Sequence, residues 1–561
     1  MSGLPTEVEL PGITSIGQPN SPPAYMYSIS GKEAGPACMD AEIVYAQTLL
    51  ERLSLTSGEA NANGPEIQSS LAAQSHSSFP TQTSLTTQVA FARAALIHSK
   101  TEICDSPEAS LPLVHQLPPE LLCEIFLHSL PDSPEPGFVY TPPPRAGDAP
   151  LLLCQICSHW RKVALCLSSL WSSLSVTVSS QGQKPRMPLV KLWLARSRSH
   201  PLSLSLDSLG VTVPPHANDN DVLDAFIPHF HHMRQFRLFL MTHSFKSLLN
   251  IPESAAPILE HLHISMRYWG NAQTDRLSLL FRSPRLRHFG WRNHVTVDYF
   301  GLEMTMAQLT SISLNCPFTI KECIYILHRC PMLEQCTFSD VYSIFPTSWS
   351  LPPRFELEHL NSLSISTNLN LAPLWDRLKL PAVSAIVIEY DTTYHPPWPQ
   401  AEFKEMLTRS SCALQSLVLD NPVICEDDLI ECLRVITASL VEFHIDDMRN
   451  ISITDNLLDM LTFRESSTED ARKPSCLCPN LQIIKICGCI SSSTDGVFAE
   501  MVASRWSRSG CTNRTPRVVC PTFIEIEFNP DLEEQHRIDI IRLKKMRDEG
   551  LAISLYDSYS A

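Results

Sequence analysis

The chain has 561 residues, a formal net charge of −16 and a pI near 5.7, with 44% hydrophobic and 18% charged side chains. That length and apolar content suffice for more than one structural unit. The acidic balance argues against general nucleic-acid binding, which needs a basic face for phosphates, and no run approaches the roughly 18 apolar residues that cross a bilayer. Neither a nucleic acid nor a membrane is therefore an expected partner. The opening MSGLPTEVELPGITSIG has no basic stretch followed by an apolar one, so no signal peptide is expected. The 19 cysteines then read as reduced, small buried hydrophobes of an intracellular chain, cytoplasmic or nuclear, rather than as disulfides. In such a chain the sequons at Asn450 and Asn513 carry little weight.

Taken in order, residues 1–80 are expected to be mostly disordered, being rich in Pro, Gly and Ser and then in polar residues. Within them Asp40 is placed to cap a helix over 41–53, where Ile43, Ala46, Leu49, Leu50 and Leu53 recur at helical spacing. Residues 81–115 are expected to be a helical lead-in, with a helix around Val89 to Lys100.

The stretch HQLPPELLCEIFLHSLPD, residues 115–132, carries more apolar side chains than one docking stripe needs. Pro119 suits the first helical position and Glu120 the positive end of the helix dipole, while Pro131 stops the helix after Leu130. Residues 131–150 hold seven prolines and read as a stiff exposed loop. In LLLCQICSHWRKVALCLSSLW, Leu152, Leu153, Ile156, Cys157, Trp160, Val163 and Ala164 predict one further helix, closed by Leu170 and Trp171.

Residues 116–172 resemble the F-box: Leu117-Pro118-Pro119-Glu120-Leu121-Leu122, Glu124-Ile125-Phe126, Cys157-Ser158-His159-Trp160-Arg161 and Ser169-Leu170-Trp171 follow its order and spacing. The departure is the proline-rich insertion at 131–150, where compact members have a short turn; such insertions look familiar from fungal F-box proteins. The resemblance implies a small all-α module that docks on the Skp adaptor of cullin-based (SCF-type) ubiquitin ligases. It carries adaptor contacts over onto Leu117, Pro118, Leu122, Ile125, Phe126, Cys157, Trp160, Leu170 and Trp171, some of which have to hold the module together instead. An ordinary helical hairpin with its own core is the plainer alternative.

Strand-like runs follow at Leu174–Val178 and 200–207, and then one pattern recurs: apolar, two any, apolar, one any, apolar. Its ten starts are Met233, Leu259, Leu286, Leu309, Leu333, Leu360, Val383, Leu414, Leu440 and Leu481. Most intervals fall in the window of about 20–29 residues that marks leucine-rich repeats. Pro257, Pro284, Pro331, Pro381 and Pro479 each stand two residues before a start, a second register in phase with the first. Runs such as 321–330 and 426–436 suit helices on the opposite face. The fold class expected is therefore α/β, with the small all-α module followed by a leucine-rich-repeat-like solenoid over 173–561; an irregular α/β domain is the alternative. The any-residue positions would face a partner on the concave side. Arg234, Arg237, Arg287, His288 and Arg292 lie there in the early units and Asp420, Glu442, His444 and Asp446 in the later ones, which predicts a polarised face whose early half, through its four arginines, binds an acidic target surface. Scattered solvated charges are the plainer account. The end of the chain predicts a helix over 531–549, with Glu533 and Glu534 in its first turn, Gly550 after it and a final strand from Leu551 to Leu555.

No catalytic or cofactor motif emerges. Cys154 and Cys157 fit helical core packing better than redox work, and Cys476, Cys478, Cys487 and Cys489 are spaced too closely within each pair for the usual zinc pattern. His231, His232, His261 and His263 have no evident acid or nucleophile beside them. The reading is thus a non-enzymatic substrate receptor of an SCF-type ubiquitin ligase, with the Skp adaptor, a cullin and an unknown protein target as partners. The rival is a repeat scaffold without ubiquitin transfer.

Overall fold

A computed structural model describes residues 117–130, 141–179, 186–209, 217–240, 247, 250–252, 256–266, 279–292, 306–342, 350–391, 396–447, 453–464, 476–490, 492–506, 519–528 and 535–556. All of these belong to one compact unit, Ser110–Ala561. The helices expected over 41–53 and within 81–115, and the disorder expected over 1–80, lie outside the described residues.

The unit begins with a helical module. Helix α1 spans Pro119–His128, with proline in its first turn as predicted. The second expected helix is two: α2, Leu153–Ile156, and α3, Ser158–Cys166. Between them Cys157 is extended (φ −158°, ψ 170°), and its thiol accepts the Trp160 N–H at 3.4 Å. An apolar periodicity carries no mark of such a break, because a one-residue cap leaves the spacing almost intact. A 3₁₀ turn over Ser168–Trp171 ends the module.

Strands then alternate with helices: β1 Ser173–Ser179, α4 Met187–Ser197, β2 Leu202–Leu209, α5 Ala217–Phe226, β3 Met233–Leu240, β4 His261–Met266 and β5 His288–Arg292. Next come β6 Ser311–Asn315, α6 Ile320–Arg329, β7 Gln335–Val341, β8 Ser362–Thr367, α7 Ala372–Trp375, β9 Ala385–Tyr390 and α8 Gln400–Ser410. The end is β10 Ser416–Asp420, α9 Glu426–Ile436, β11 Glu442–Asp446, α10 Asp455–Leu461, β12 Ile483–Cys487, α11 Val497–Arg505, β13 Phe523–Glu527, α12 Arg537–Asp548 and β14 Ala552–Tyr556. These fourteen strands form one sheet in sequence order, every neighbour pair parallel. All ten pattern units are strands of it.

The register explains why the pattern works. Leu204, Phe236, Leu262 and Phe289 stand side by side and start a buried row that continues to Ile553; Leu206, Leu238, Ile264 and Trp291 start the next. Each inward side chain is worth about 1.5–3 kcal/mol on burial, but only because a neighbouring strand or helix covers it, so no unit is stable alone. Helix α6 supplies such cover with Ile320, Cys323, Ile324, Ile326 and Leu327, and a reciprocal cap starts it: the Thr319 hydroxyl accepts the Glu322 N–H at 3.2 Å while Glu322 accepts the Thr319 N–H at 2.7 Å.

The termini of the sheet are managed differently. At β1 the Ser175 N–H donates to the Pro142 carbonyl at 2.9 Å, so the returning half of the proline-rich insertion covers part of that edge. At the other end α12 starts at Arg537, six residues later than predicted, and Glu533 and Glu534 lie outside the described residues. Gly550 has φ +108°, which turns the chain out of α12 into β14 as predicted.

Candidate protein-docking surfaces

The structure sorts the nine residues of the helical module that the F-box resemblance singled out. Leu122, Phe126, Leu170 and Trp171 are fully buried within the chain itself. In the free chain they build the module's core, the holding role that the resemblance left open for some of the nine. Leu117, Cys157 and Trp160 are half-buried, and Pro118 and Ile125 are exposed. Trp160 packs against Phe126 with ring centroids 4.9 Å apart, and its indole N–H has no hydrogen-bond partner among the described residues.

The surplus apolar surface has a definite location. Leu121 and Ile125 on α1 are 51% and 45% exposed, and Leu152 and Ile156 at α2 are 43% and 52% exposed. Each pair is four residues apart and so shares a face of its helix. Leu121, Leu152 and Ile156 were not among the expected contacts. The available signal was their position beside Leu122, Phe126 and Leu153, about a quarter-turn round the helix, which a helical projection separates only once the buried face is known.

Trp171 joins the module to the repeats. Its indole N–H donates to the Ala164 carbonyl at 2.8 Å, its ring stands edge-on to Trp193 of α4 at 5.0 Å, and the Arg196 guanidinium lies over it at 5.2 Å. Trp193 in turn donates to the Ser173 carbonyl of β1 at 3.1 Å.

On the open face of the sheet, the four arginines do not converge. Arg234 is tied to Glu260 at 2.7 Å and Arg287 to the Gln308 carbonyl at 2.9 Å, both in the row that enters the strands. Arg237 and Arg292 instead line one cavity of about 380 Å³ over β2–β7, with Asp207, His263, Ser265, Ser313 and Asn315 among its other walls. Gly290 makes room there: a Cβ would lie 2.2 Å from His263 Nδ1. Asp207 accepts from Ser175 and Ser205, each at 3.3 Å.

The late strands carry the opposite sign. Glu389, Asp420 and Asp446 occupy one row on adjacent strands, continued by Cys487 and Glu527. Burial, then the charges of Glu389 and Asp447, pushes the Asp420 carboxyl up; burial, then Asp420, does the same to Asp446. Burial and the nearby Lys485 hold His444 down, and Lys485 pairs with Glu525 at 3.3 Å. On the open face Arg237 and Arg292 thus stand early, beside Asp207, and the carboxylates late, beside Lys485.

Histidines mark the early strands. His261 and His288 stack with centroids 4.1 Å apart on adjacent strands. Burial, then His288, lowers His261 to about 4, and burial, then His231, lowers His232 to about 4. Both are therefore neutral in the fold and take up protons on unfolding below their ordinary value near 6.5. Stability is expected to be level above about pH 6.5 and to fall as pH drops toward 4, by on the order of 3 kcal/mol for the two after solvent screening. The raised carboxyls of Asp420 and Asp446 act in the opposite sense in acid and offset part of this. Denaturant midpoints measured from pH 8 to pH 4 check it; a midpoint that rises steadily through the window contradicts it.

The cysteine pairs around β12 separate. Arg505 is buried and donates to the Leu461, Cys478 and Leu477 carbonyls and to the Cys476 sulfur, at 2.7, 3.0, 2.6 and 3.7 Å. Cys489 lies at the far end of the strand, donating to the Cys487 and Asp447 carbonyls at 3.0 and 3.5 Å. A ladder of acidic caps also escaped the sequence: Glu426 of α9 accepts from Thr454 and Leu457 at the start of α10, and Asp495 accepts from Ile538 and Asp539 in α12.

No family model matches the chain, and no curated protein matches it. Among solved structures it is similar to the mouse RP105/MD-1 complex, at 12% identity and a TM-score of 0.28, over 69% of this chain and 51% of that one. The chain thus spans about half the length of the chain it matches. So distant a likeness adds nothing to the strand order and register, which by themselves define a repeat solenoid of the leucine-rich-repeat kind. Among the described residues no helix is long and apolar enough to cross a membrane.

Proposed function

We propose that this chain is a non-enzymatic substrate receptor of an SCF-type ubiquitin ligase. Its helical module is an F-box that docks on the Skp adaptor, and the open face of its sheet holds a protein target. The observation that carries the reading is the division of labour in the module. Leu122, Phe126, Leu170 and Trp171 fill the core, while Leu121, Ile125, Leu152 and Ile156 stay exposed beside them. Large apolar side chains left outside a well-filled core favour a partner surface over an ordinary hairpin. Catalysis on this chain is then proximity alone: the target's lysines are kept at high local concentration near the ubiquitin-loaded enzyme. Arg237 and Arg292, which share one cavity, meet acidic groups of the target.

Affinity purification of the full chain is expected to bring down the Skp adaptor, the cullin and a target. Arg237→Glu with Arg292→Glu should release the target and keep the adaptor. Recovery of the adaptor without any cullin contradicts the ligase reading in favour of a scaffold, and a target retained by the double variant removes the arginines from the site.

A further inference from the structure

We propose that His444, Asp446 and Cys487 form a three-ligand site for a zinc-class divalent cation on the open face of β11 and β12. Extended backbone puts residues i and i+2 on one face, so His444 and Asp446 point the same way from β11. The parallel register sets Cys487 of β12 directly beside Asp446. One donor atom from each of the three lies within 4.8 Å of the other two. Among the described residues no hydrogen bond engages any of these three side chains.

One nitrogen, one oxygen and one sulfur suit zinc or cobalt(II), whereas calcium and magnesium take oxygen alone. Tetrahedral bonds of about 2.0–2.3 Å place ligand atoms about 3.3–3.7 Å apart, a contraction that side-chain rotation supplies. Three ligands leave a fourth position for water or for a group of a bound partner, and His444 and Asp446 are only half-buried on that side. The surroundings favour a cation: Asp420 stands opposite Asp446 and Glu527 opposite Cys487, while Lys485 is engaged by Glu525. On binding, the zinc–sulfur bond replaces the S–H bond of Cys487 and the proton leaves to solvent.

A second cluster, Asp495, His536 and Asp539, has comparable spacing. Its carboxylates are already spent: Asp495 accepts the Ile538 and Asp539 N–H groups and Asp539 accepts the Ala499 N–H, so that cluster fastens α11 to α12. The sulfurs of Cys476 and Cys478 are likewise engaged: that of Cys476 accepts from Arg505 at 3.7 Å, and the Cys478 thiol donates to the Leu433 carbonyl at 3.8 Å.

The site is independent of the adaptor reading, since the helical module contributes nothing to it. The test uses the full chain, free of any tag and stripped by chelator, titrated with Co²⁺ and then Zn²⁺. One equivalent of Co²⁺ is expected to give the charge-transfer absorption of a thiolate–cobalt bond, and one equivalent of Zn²⁺ to bleach it. His444→Gln and Cys487→Ser are each expected to weaken binding at least about 100-fold, and Cys476→Ser to leave it unchanged. A parent chain without that absorption overturns the proposal, as does its persistence in Cys487→Ser. Should Cys487→Ser fail to fold, His444→Gln decides, because its side chain sits on the half-buried open face.

Discussion

The Ile125→Asp chain is expected to fold as the parent does and to capture the Skp adaptor at least about 100-fold less well. Ile125 is 45% exposed, so a carboxylate there meets water in the free protein and costs the fold little. In a docked complex the same carboxylate is desolvated without a partner, which costs several kcal/mol, and the lost apolar contact adds about 1.5–3 kcal/mol. Since about 1.4 kcal/mol is tenfold in affinity, even half of that sum reaches a hundredfold. Leu122→Asp is the informative contrast, because Leu122 is fully buried and a charge there unfolds α1. Adaptor titration of both full-length variants, with circular dichroism alongside, measures the difference. Undiminished capture by folded Ile125→Asp excludes this face of α1 from the interface.

Trp171→Ala is expected to destabilise the unit by about 3–5 kcal/mol, the usual cost of truncating a large buried aromatic. Three losses combine at that one position. The Ala164 carbonyl is left buried without its donor, the edge-on contact with Trp193 goes, and Arg196 loses the ring beneath it. Because Trp171 is a central contact between the helical module and α4, the two regions are expected to unfold together in the parent and separately in the variant. Trp171→Phe keeps the ring and loses only the N–H, so about 1–2 kcal/mol is expected there. Denaturant titration followed by Trp fluorescence and by far-ultraviolet dichroism reads both effects. A single coincident transition in Trp171→Ala, less than about 1 kcal/mol below the parent, contradicts the assignment.

Much of this architecture is legible without coordinates because the strands obey a local rule. A unit such as Leu259–Ile264 has to turn Leu259 into the core just before the strand and then place Leu262 and Ile264 on one side of the extended backbone, and that demand is met within six residues. The same holds for the helix at 426–436, whose apolar stripe and acidic first turn are both local, and for Gly550, where a positive φ after a helix favours glycine. Such features depend on neighbours in sequence, so reading the chain finds them.

What the sequence by itself determined is therefore the ten pattern strands, several of the helices and the alternation of inside and outside along each strand, whereas the split at Cys157 and the strand Phe523–Glu527 were not read from it. Only the tertiary structure decided which apolar residues of the helical module are core and which are surface, because Leu121 and Leu122 are chemically identical and differ only in what stands opposite them. It also decided that Arg237 and Arg292 share a cavity while Arg234 and Arg287 are engaged elsewhere, and that Cys487 stands beside Asp446 rather than with Cys476. Those outcomes depend on the register between strands more than twenty residues apart in the chain. A repeat pattern specifies that each unit stacks on the next, but which side chains then meet across the stack is set by the three-dimensional packing of all the units.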